Sequence, residues 1–330
     1  MDAPITIPFL KVFDNKFHVV FHNNYKRIYP ENQGENLQKD RVLSYNGLLS
    51  KSAERLILER LTAWFNVCDA YNSLPVSVRG YHFKKLVFIT LTLSEKQCMS
   101  DMDIKAKLLD MFLDRLLTTF GKYEYFWRAE KQKNGNIHFH LILDLYIDKL
   151  QLRSIWNGVQ DYYGLLDNFE KKYHHKNPNS TDIKLINSKT GGIGYISKYV
   201  QKQKDEVLVQ GRLYSFSKGL VHLKIPMIII DSYVSYFIDK CKSLFQHTVI
   251  QKDYFVGIYF KQPLNLEFFQ FDFLRILRNY YKDYALLLYV KETPEEIMHL
   301  FELKNFNFPK FAEMISDKDL ICEVRKYFIF

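Results

Sequence analysis

The chain has 330 residues, 47% of them hydrophobic, which is enough for two domains or for one domain with long extensions. A net charge of +9 and an aromatic share of 16% suit single-stranded nucleic acid, because lysine and arginine track phosphates while rings stack on bases; a basic soluble protein with another role is the alternative. Scattered cysteines without a CxxC pair, no apparent signal peptide and no membrane-length apolar stretch argue against a zinc knuckle, a disulfide framework and a membrane partner, and predict a cytoplasmic protein.

The first 81 residues contain one clear helical pattern. Apolar residues recur at helical spacing from about Ser52 to Tyr71, and Leu74-Pro75 ends the pattern. We therefore assign residues 1–81 to an N-terminal extension with one long helix.

Residues 82–222 alternate between strand and helix patterns. The segment 86–93 is nearly all apolar and rich in β-formers, which predicts a buried central strand. Ser100 followed by Asp103 is typical of a helix start, and Gly121 ends the apolar stripe of that helix.

A hairpin pattern comes next. Strand patterns at 123–130 and 137–143 flank residues 133–135, a Lys-Asn-Gly sequence typical of a hairpin turn. A second helical stripe ends at Gly164, and a short strand is predicted at 182–186. The apolar side of a third helix follows: Ile193, Ile196 and Val200.

The order of strand, helix, hairpin, helix, strand and helix predicts an α+β fold. We expect an antiparallel five-stranded sheet of ferredoxin or RRM type with helices on one face, over residues 82–222. A last strand within 211–219 would bring Arg212 and Lys218 to DNA, or carry them as ordinary surface charges. The pattern after it is mixed, so we predict a mostly helical C-terminal region, 223–330, without an assigned function.

The predicted sheet carries potential metal ligands. His138 and His140 are two residues apart on a strand, so both imidazoles point to one face. If residues 133–135 form a three-residue loop with Gly135 left-handed, Glu130 lies opposite His138 on that face. Two imidazoles and one carboxylate leave open positions on an ion, which suits Mg²⁺ or Mn²⁺ holding a phosphate oxygen. Two exposed histidines without a metal are the alternative.

Two hydroxyls share one face of the predicted central strand, those of Thr90 and Thr92. They either contact a nucleotide or support other site residues, or they reflect the preference of threonine for strands.

The third helix carries a stripe of tyrosine and lysine. Its residues follow the spacing i, i+3, i+4 and i+7: Tyr195, Lys198, Tyr199 and Lys202. A phenol titrates near 10 and attacks poorly at neutral pH, but a neighbouring ammonium and a metal-polarised phosphate both help. The alternative is an ordinary basic amphipathic helix.

Three motifs in this order, FITLT at 88–92, HFH at 138–140 and YISKYVQK at 195–202, resemble the HUH endonuclease superfamily. The Tyr-x-x-Lys-Tyr-x-x-Lys arrangement is most similar to the replication initiators of microviruses, which are small single-stranded DNA phages, and of related plasmids. The resemblance covers roughly residues 82–222.

The resemblance implies a role for each motif residue. It makes the two histidines the metal-binding pair and Glu130 the third ligand. Tyr195 becomes the nucleophile, Tyr199 the second tyrosine of two-tyrosine members, and Lys198 a residue that steadies the scissile phosphate or the charge of the metal site.

The resemblance also implies a reaction and partners. Tyr195 would nick single-stranded DNA at an origin, forming a 5′-phosphotyrosine link and a 3′-OH that primes a host polymerase, and a second transesterification would rejoin the strands. The chain has no GxxxxGK[ST] motif, so a helicase would come from the bacterial host.

Two other readings compete with the initiator. A relaxase or single-strand transposase of the same superfamily differs in its partner and DNA target rather than in its site residues. A non-catalytic single-strand-binding module on an RRM-like sheet would have stacking aromatic residues at the sheet centre, where this chain has His138 and His140. The adjacent His174 and His175 are expected to lie on a solvated loop.

Overall fold

The computed structural model describes residues 6–13, 15–23, 49–186, 209–252, 255–264, 266 and 269–290. The chain divides into two compact units. The central unit contains the described residues of 49–68, 82–186 and 209–223, and the terminal unit contains the other described residues, from both ends of the chain. No helix within the described ranges is long and apolar enough to cross a membrane.

The secondary structure of the described residues is given in chain order. The strands are β1 (Thr6–Val12), β2 (Lys16–Asn23), β3 (Val87–Leu91), β4 (Tyr125–Lys131), β5 (Ile137–Leu143), β6 (Thr181–Leu185), β7 (Tyr214–Phe216), β8 (Ile228–Ile229), β9 (His247–Lys252) and β10 (Phe255–Phe260). The helices are α1 (Lys51–Asn72), α2 (Val76–Arg79), α3 (Asp101–Asp103 and Asp110–Phe120, joined by the π-helical Ile104–Leu109), α4 (Lys149–Tyr162), α5 (Asp167–Tyr173), α6 (Ser232–Leu244) and α7 (Asp272–Tyr289).

The central unit contains a five-stranded sheet with the order β6-β3-β5-β4-β7, in which every neighbouring pair is antiparallel. The first four strands follow the ferredoxin-like arrangement, with α3 and α4 as connecting helices. The short β7 pairs with β4 and lies inside the predicted range 211–219. The predicted α+β fold is therefore confirmed.

Local capping explains where α3 begins and ends. The Ser100 hydroxyl accepts a hydrogen bond from the Asp103 backbone N–H at 3.0 Å. Gly121, with φ +80°, ends the helix in a backbone conformation that favours glycine. Both features are those that the sequence predicts.

One face of the central sheet packs against α3 and α4. Alternate residues of β5 point to this face and are fully buried with the apolar stripes of both helices: Ile137, Phe139, Leu141, Ile104, Leu108, Phe112, Leu152, Trp156 and Val159. The other face carries Phe126, which pairs with Phe216, and Arg60 of α1 lies 4.8 Å from the Phe216 ring. The expectation of helices on one face thus holds for α3 and α4, whereas α1 reaches the opposite face.

The terminal unit contains a second antiparallel five-stranded sheet, with the order β8-β1-β2-β10-β9. The Phe17 ring of β2 packs 5.4 Å from the Phe237 ring of α6 in its core. The prediction of mostly helical terminal regions omitted this sheet. Its central strands β2 and β10 come from opposite ends of the chain, and a pairing over such a sequence separation leaves no local signal.

A proline also hides the first strand. Pro8 lacks a backbone N–H and argues against an interior strand. In the structure β8 pairs only with Phe9 and Leu10, and the Pro8 carbonyl accepts from the Ile230 N–H at 3.0 Å. The missing donor therefore interrupts no ladder on the β8 side.

Candidate metal centre

The β4–β5 hairpin sets the register of the candidate site. The Gln132 N–H donates to the Asn136 carbonyl at 2.8 Å, so residues 133–135 form a three-residue loop. Gly135 has φ +86°, the left-handed conformation that this loop requires. Glu130 consequently pairs with His138 across the hairpin. This is the geometry that the loop sequence predicts.

Three side chains converge on one face of the central sheet. One possible ligand atom from each of Glu130, His138 and His140 lies within 4.8 Å of the others. Glu130 Oε2 is 3.5 Å from His138 Nε2 and 3.4 Å from His140 Nε2. The two imidazole rings are 4.6 Å apart and nearly perpendicular. Within the described residues this is the one group of three or more such side chains with metal-binding geometry.

The donor set fits a metal ion. Ligand atoms about 2.1 Å from a shared ion lie about 3.0–3.5 Å from one another, close to the distances from Glu130 Oε2 to the two imidazole nitrogens. Two imidazoles and one carboxylate supply three ligands and leave coordination positions open. The ligands are also held before an ion arrives, because all three extend from paired strands.

Contacts beyond the three ligands orient His140. Its Nδ1 lies 3.2 Å from the Thr90 hydroxyl, and Thr90 pairs directly with His140 across β3 and β5. When Nδ1–H donates to that hydroxyl, Nε2 keeps its lone pair for a metal. The Phe88 ring stacks on the imidazole at 5.3 Å. Thr90 therefore supports the ligand, as one of the two sequence hypotheses has it.

Thr92 does something different. Its hydroxyl donates to the Ser180 carbonyl at 2.9 Å, and its backbone N–H donates to the same carbonyl oxygen. These two bonds attach the end of β3 to the chain just before β6, and Thr92 makes no contact with the three ligands in this arrangement.

Arg128 is a site residue that the sequence analysis missed. It pairs with His140 across the hairpin, its side chain is 1% exposed, and Nη1 lies 3.7 Å from Glu130 Oε1. The negative charge of Glu54 adds to that of Glu130 around the guanidinium. One signal was in the sequence: Arg128 and Glu130 are two apart on one strand and therefore share a face.

Electrostatics keep the ligands in their metal-binding protonation states. Burial raises the pKa of Glu130, but hydrogen bonds with His138 and His140 and the positive charges of His140 and Arg128 outweigh it, so the pKa lies well below its usual range. Burial lowers the pKa of His140, and His138 and Arg128 act in the same direction against Glu130. An ionised carboxylate and a neutral imidazole are the forms that bind metals.

Other predicted residues lie elsewhere. Tyr195, Lys198 and Tyr199 fall outside the described residues. His174 and His175 follow α5 and are exposed, as expected for a solvated loop. The side chains before and after β7 are exposed as well: Arg212 and Lys218.

Comparison with known proteins bears on this same segment. A family model described as a replication-associated protein of the ORF2 type matches residues 86–204, about a third of the chain. No curated protein and no solved structure gives a significant match. The matched segment contains Glu130, His138 and His140. The part of the chain that carries the candidate metal centre is thus similar to replication-associated proteins, which is consistent with a replication initiator.

Proposed function

We propose that this chain is a replication initiator of the HUH endonuclease type, which nicks single-stranded DNA at an origin. The observation that carries the proposal is the group of Glu130, His138 and His140 on one sheet face, inside the segment similar to replication-associated proteins. A binding module without catalysis has no need for three converging ligand atoms beside a buried guanidinium.

The chemistry follows from this donor set and from the tyrosine motif. A bound Mg²⁺ or Mn²⁺ polarises the scissile phosphodiester. The Tyr195 oxygen attacks the phosphorus, the bond to the 3′ oxygen breaks, and the phenol proton ends on that oxygen. The products are a 5′-phosphotyrosine and a 3′-OH, which primes a host polymerase. Lys198 eases loss of the phenol proton, since a positive charge favours the phenolate.

Tyr199 would carry the second step. A transesterification rejoins the displaced strand, and no ATP is needed because the phosphotyrosine conserves the energy of the broken bond. Unwinding of the duplex would fall to a helicase of the bacterial host, in the cytoplasm.

The test is capture of the covalent adduct. The full chain is incubated with Mn²⁺ and 3′-labelled single-stranded DNA carrying a candidate origin, then separated on a denaturing gel. The label should move with the protein, because the adduct retains the fragment downstream of the nick. EDTA, His138→Ala and His140→Ala should each abolish the adduct, and Glu130→Ala should weaken it less completely.

A matched control replaces a histidine outside the site. His222 is exposed and lies outside the three-ligand group, so His222→Ala should form the adduct as the unchanged chain does. Circular dichroism checks that each variant is folded. Adduct formation in EDTA, or undiminished adduct with His140→Ala in Mn²⁺, would contradict the proposal.

A further inference from the structure

The sheet of the terminal unit has two unlike faces. One packs on α6 through Phe17 and Phe237. Directly paired residues of antiparallel strands share a face, so the register assigns the following residues of β2 and β10 to the opposite side. They are Lys16, His18, Val20, Phe255, Gly257 and Tyr259, and we call this side the aromatic face.

The rings on this face form a continuous layer. The His18 ring is 5.6 Å from the Phe255 ring, 6.0 Å from the Tyr259 ring and 4.9 Å from the Phe13 ring. A Cβ at Gly257 would lie 2.6 Å from the Tyr259 ring and 3.1 Å from the Phe255 ring. Glycine therefore lets both rings fold over the middle of β10. The side chains of His18, Phe255 and Tyr259 are partly exposed.

Positive charge surrounds these rings. Three lysines each pair with a ring-bearing residue across the sheet: Lys11 with His18, Lys16 with Tyr259, and Lys252 with Phe255. The Lys16 ammonium also lies 4.7 Å from the centre of the Phe13 ring. Among the described residues that β1, β2, β9 and β10 contribute to this face, none is acidic. The face thus combines ring surfaces with an uncompensated cationic border.

We propose that the aromatic face binds single-stranded DNA, as a site separate from the metal centre. Unpaired bases can stack on the rings while their phosphates meet the lysines, which is how sheet surfaces hold single strands. Bases in a duplex are already stacked on one another and cannot use the rings. The choice of DNA rests on the proposed function, whereas the rings and charges alone favour a single strand.

The test measures binding without cleavage. Fluorescence anisotropy follows a labelled oligothymidylate of about 12 nucleotides added to the full chain in EDTA. Tyr259→Ala should weaken binding on the order of tenfold, while Tyr259→Phe, which keeps the ring, should not. Lys252→Gln at the exposed edge should lower the slope of log affinity against log salt by about 0.7.

A matched control removes the same charge elsewhere. Lys240 of α6 is exposed on the element that packs against the other face, so Lys240→Gln should leave affinity and salt slope unchanged. Both Tyr259→Ala and Lys252→Gln should still form the covalent adduct at saturating DNA in Mn²⁺. His138→Ala should bind the oligothymidylate normally in EDTA, which separates failure of this site from failure of the nuclease.

Three results would overturn the proposal. The first is unchanged oligothymidylate affinity in both Tyr259→Ala and Lys252→Gln. The second is an equal loss of affinity for a duplex of the same length, which would mean that the face responds to charge alone. The third is tighter binding of the matching oligouridylate, which would exclude DNA as the ligand.

Discussion

Arg128 and Glu130 lie two residues apart on β4 and form an ion pair on the ligand face of the central sheet, with Nη1 3.7 Å from Oε1. The guanidinium is buried and makes no hydrogen bond to a described residue. Its pairing with Oε1 leaves Oε2 directed at the two imidazoles. Arg128 thus balances the charge of the carboxylate and fixes which oxygen can bind a metal.

Arg128→Met should therefore change stability and metal response together. Removing one partner of a buried ion pair leaves the other uncompensated, so the free energy of unfolding should fall by about 3–5 kcal/mol. A divalent cation also binds more tightly once a nearby positive charge is gone. Mn²⁺ should raise the melting temperature more in Arg128→Met than in the unchanged chain, and Arg128→Lys should be intermediate. Equal Mn²⁺-induced shifts in all three would contradict this role.

Thr90→Val tests the residue that orients His140. The variant removes the hydroxyl 3.2 Å from Nδ1 while keeping a β-branched side chain of similar size. Loss of such an outer partner costs about 10–100-fold in metal affinity, which calorimetric titration with Mn²⁺ measures. Thr92→Val is the matched control, because Thr92 bonds to the Ser180 carbonyl instead. A similar loss in both variants would show that the effect is general destabilisation of β3.

The two tyrosines should differ in the step that they perform. Tyr195→Phe is expected to lose the initial covalent adduct, because phenylalanine keeps the ring and removes the nucleophilic oxygen. Tyr199→Phe should keep the first nick and lose strand rejoining. Mass spectrometry of the digested adduct identifies the modified residue. A nucleotide on Tyr199 alone would reverse the two roles, and one outside residues 195–202 would refute the motif.

Asp101 should make acid stability depend on a buried ion pair. Its Oδ1 is 2.6 Å from Lys131 Nζ and accepts from the Gln97 amide at 2.7 Å, while Oδ2 accepts from the Gln210 N–H at 3.0 Å. Burial raises the pKa of Asp101, but these hydrogen bonds and the lysine charge outweigh it, so the pKa is lowered. A lowered folded-state pKa stabilises the protein above the ordinary value near 4, and this contribution is lost as pH falls through the folded-state pKa.

Asp101→Asn should therefore lower the free energy of unfolding by about 3–5 kcal/mol at neutral pH, since Lys131 is left buried without its partner's charge. Urea unfolding at several pH values measures this difference, which should shrink below pH of about 4 as the aspartate protonates. Asp103→Asn is the exposed control and should cost far less. A difference independent of pH would show that the charge of Asp101 does not stabilise the fold.

Short-range rules made the metal group predictable. Two-residue alternation places His138 and His140 on one face whatever the rest of the chain does, and a left-handed glycine in a three-residue loop fixes Glu130 opposite His138. Each inference depends on residues within about ten positions of one another, so the sequence alone is sufficient.

Longer-range relationships were not predictable in this way. The sequence determined the α+β pattern of the central unit, the limits of α3 and the three ligands, because caps, turns and periodicity act locally. Only the tertiary structure decided that Arg128 is buried beside Glu130, that Thr90 rather than Thr92 supports His140, and that β2 pairs with β10. The physical reason is that burial and strand partnership depend on which distant segments pack together, and a strand's own residues do not specify its neighbour.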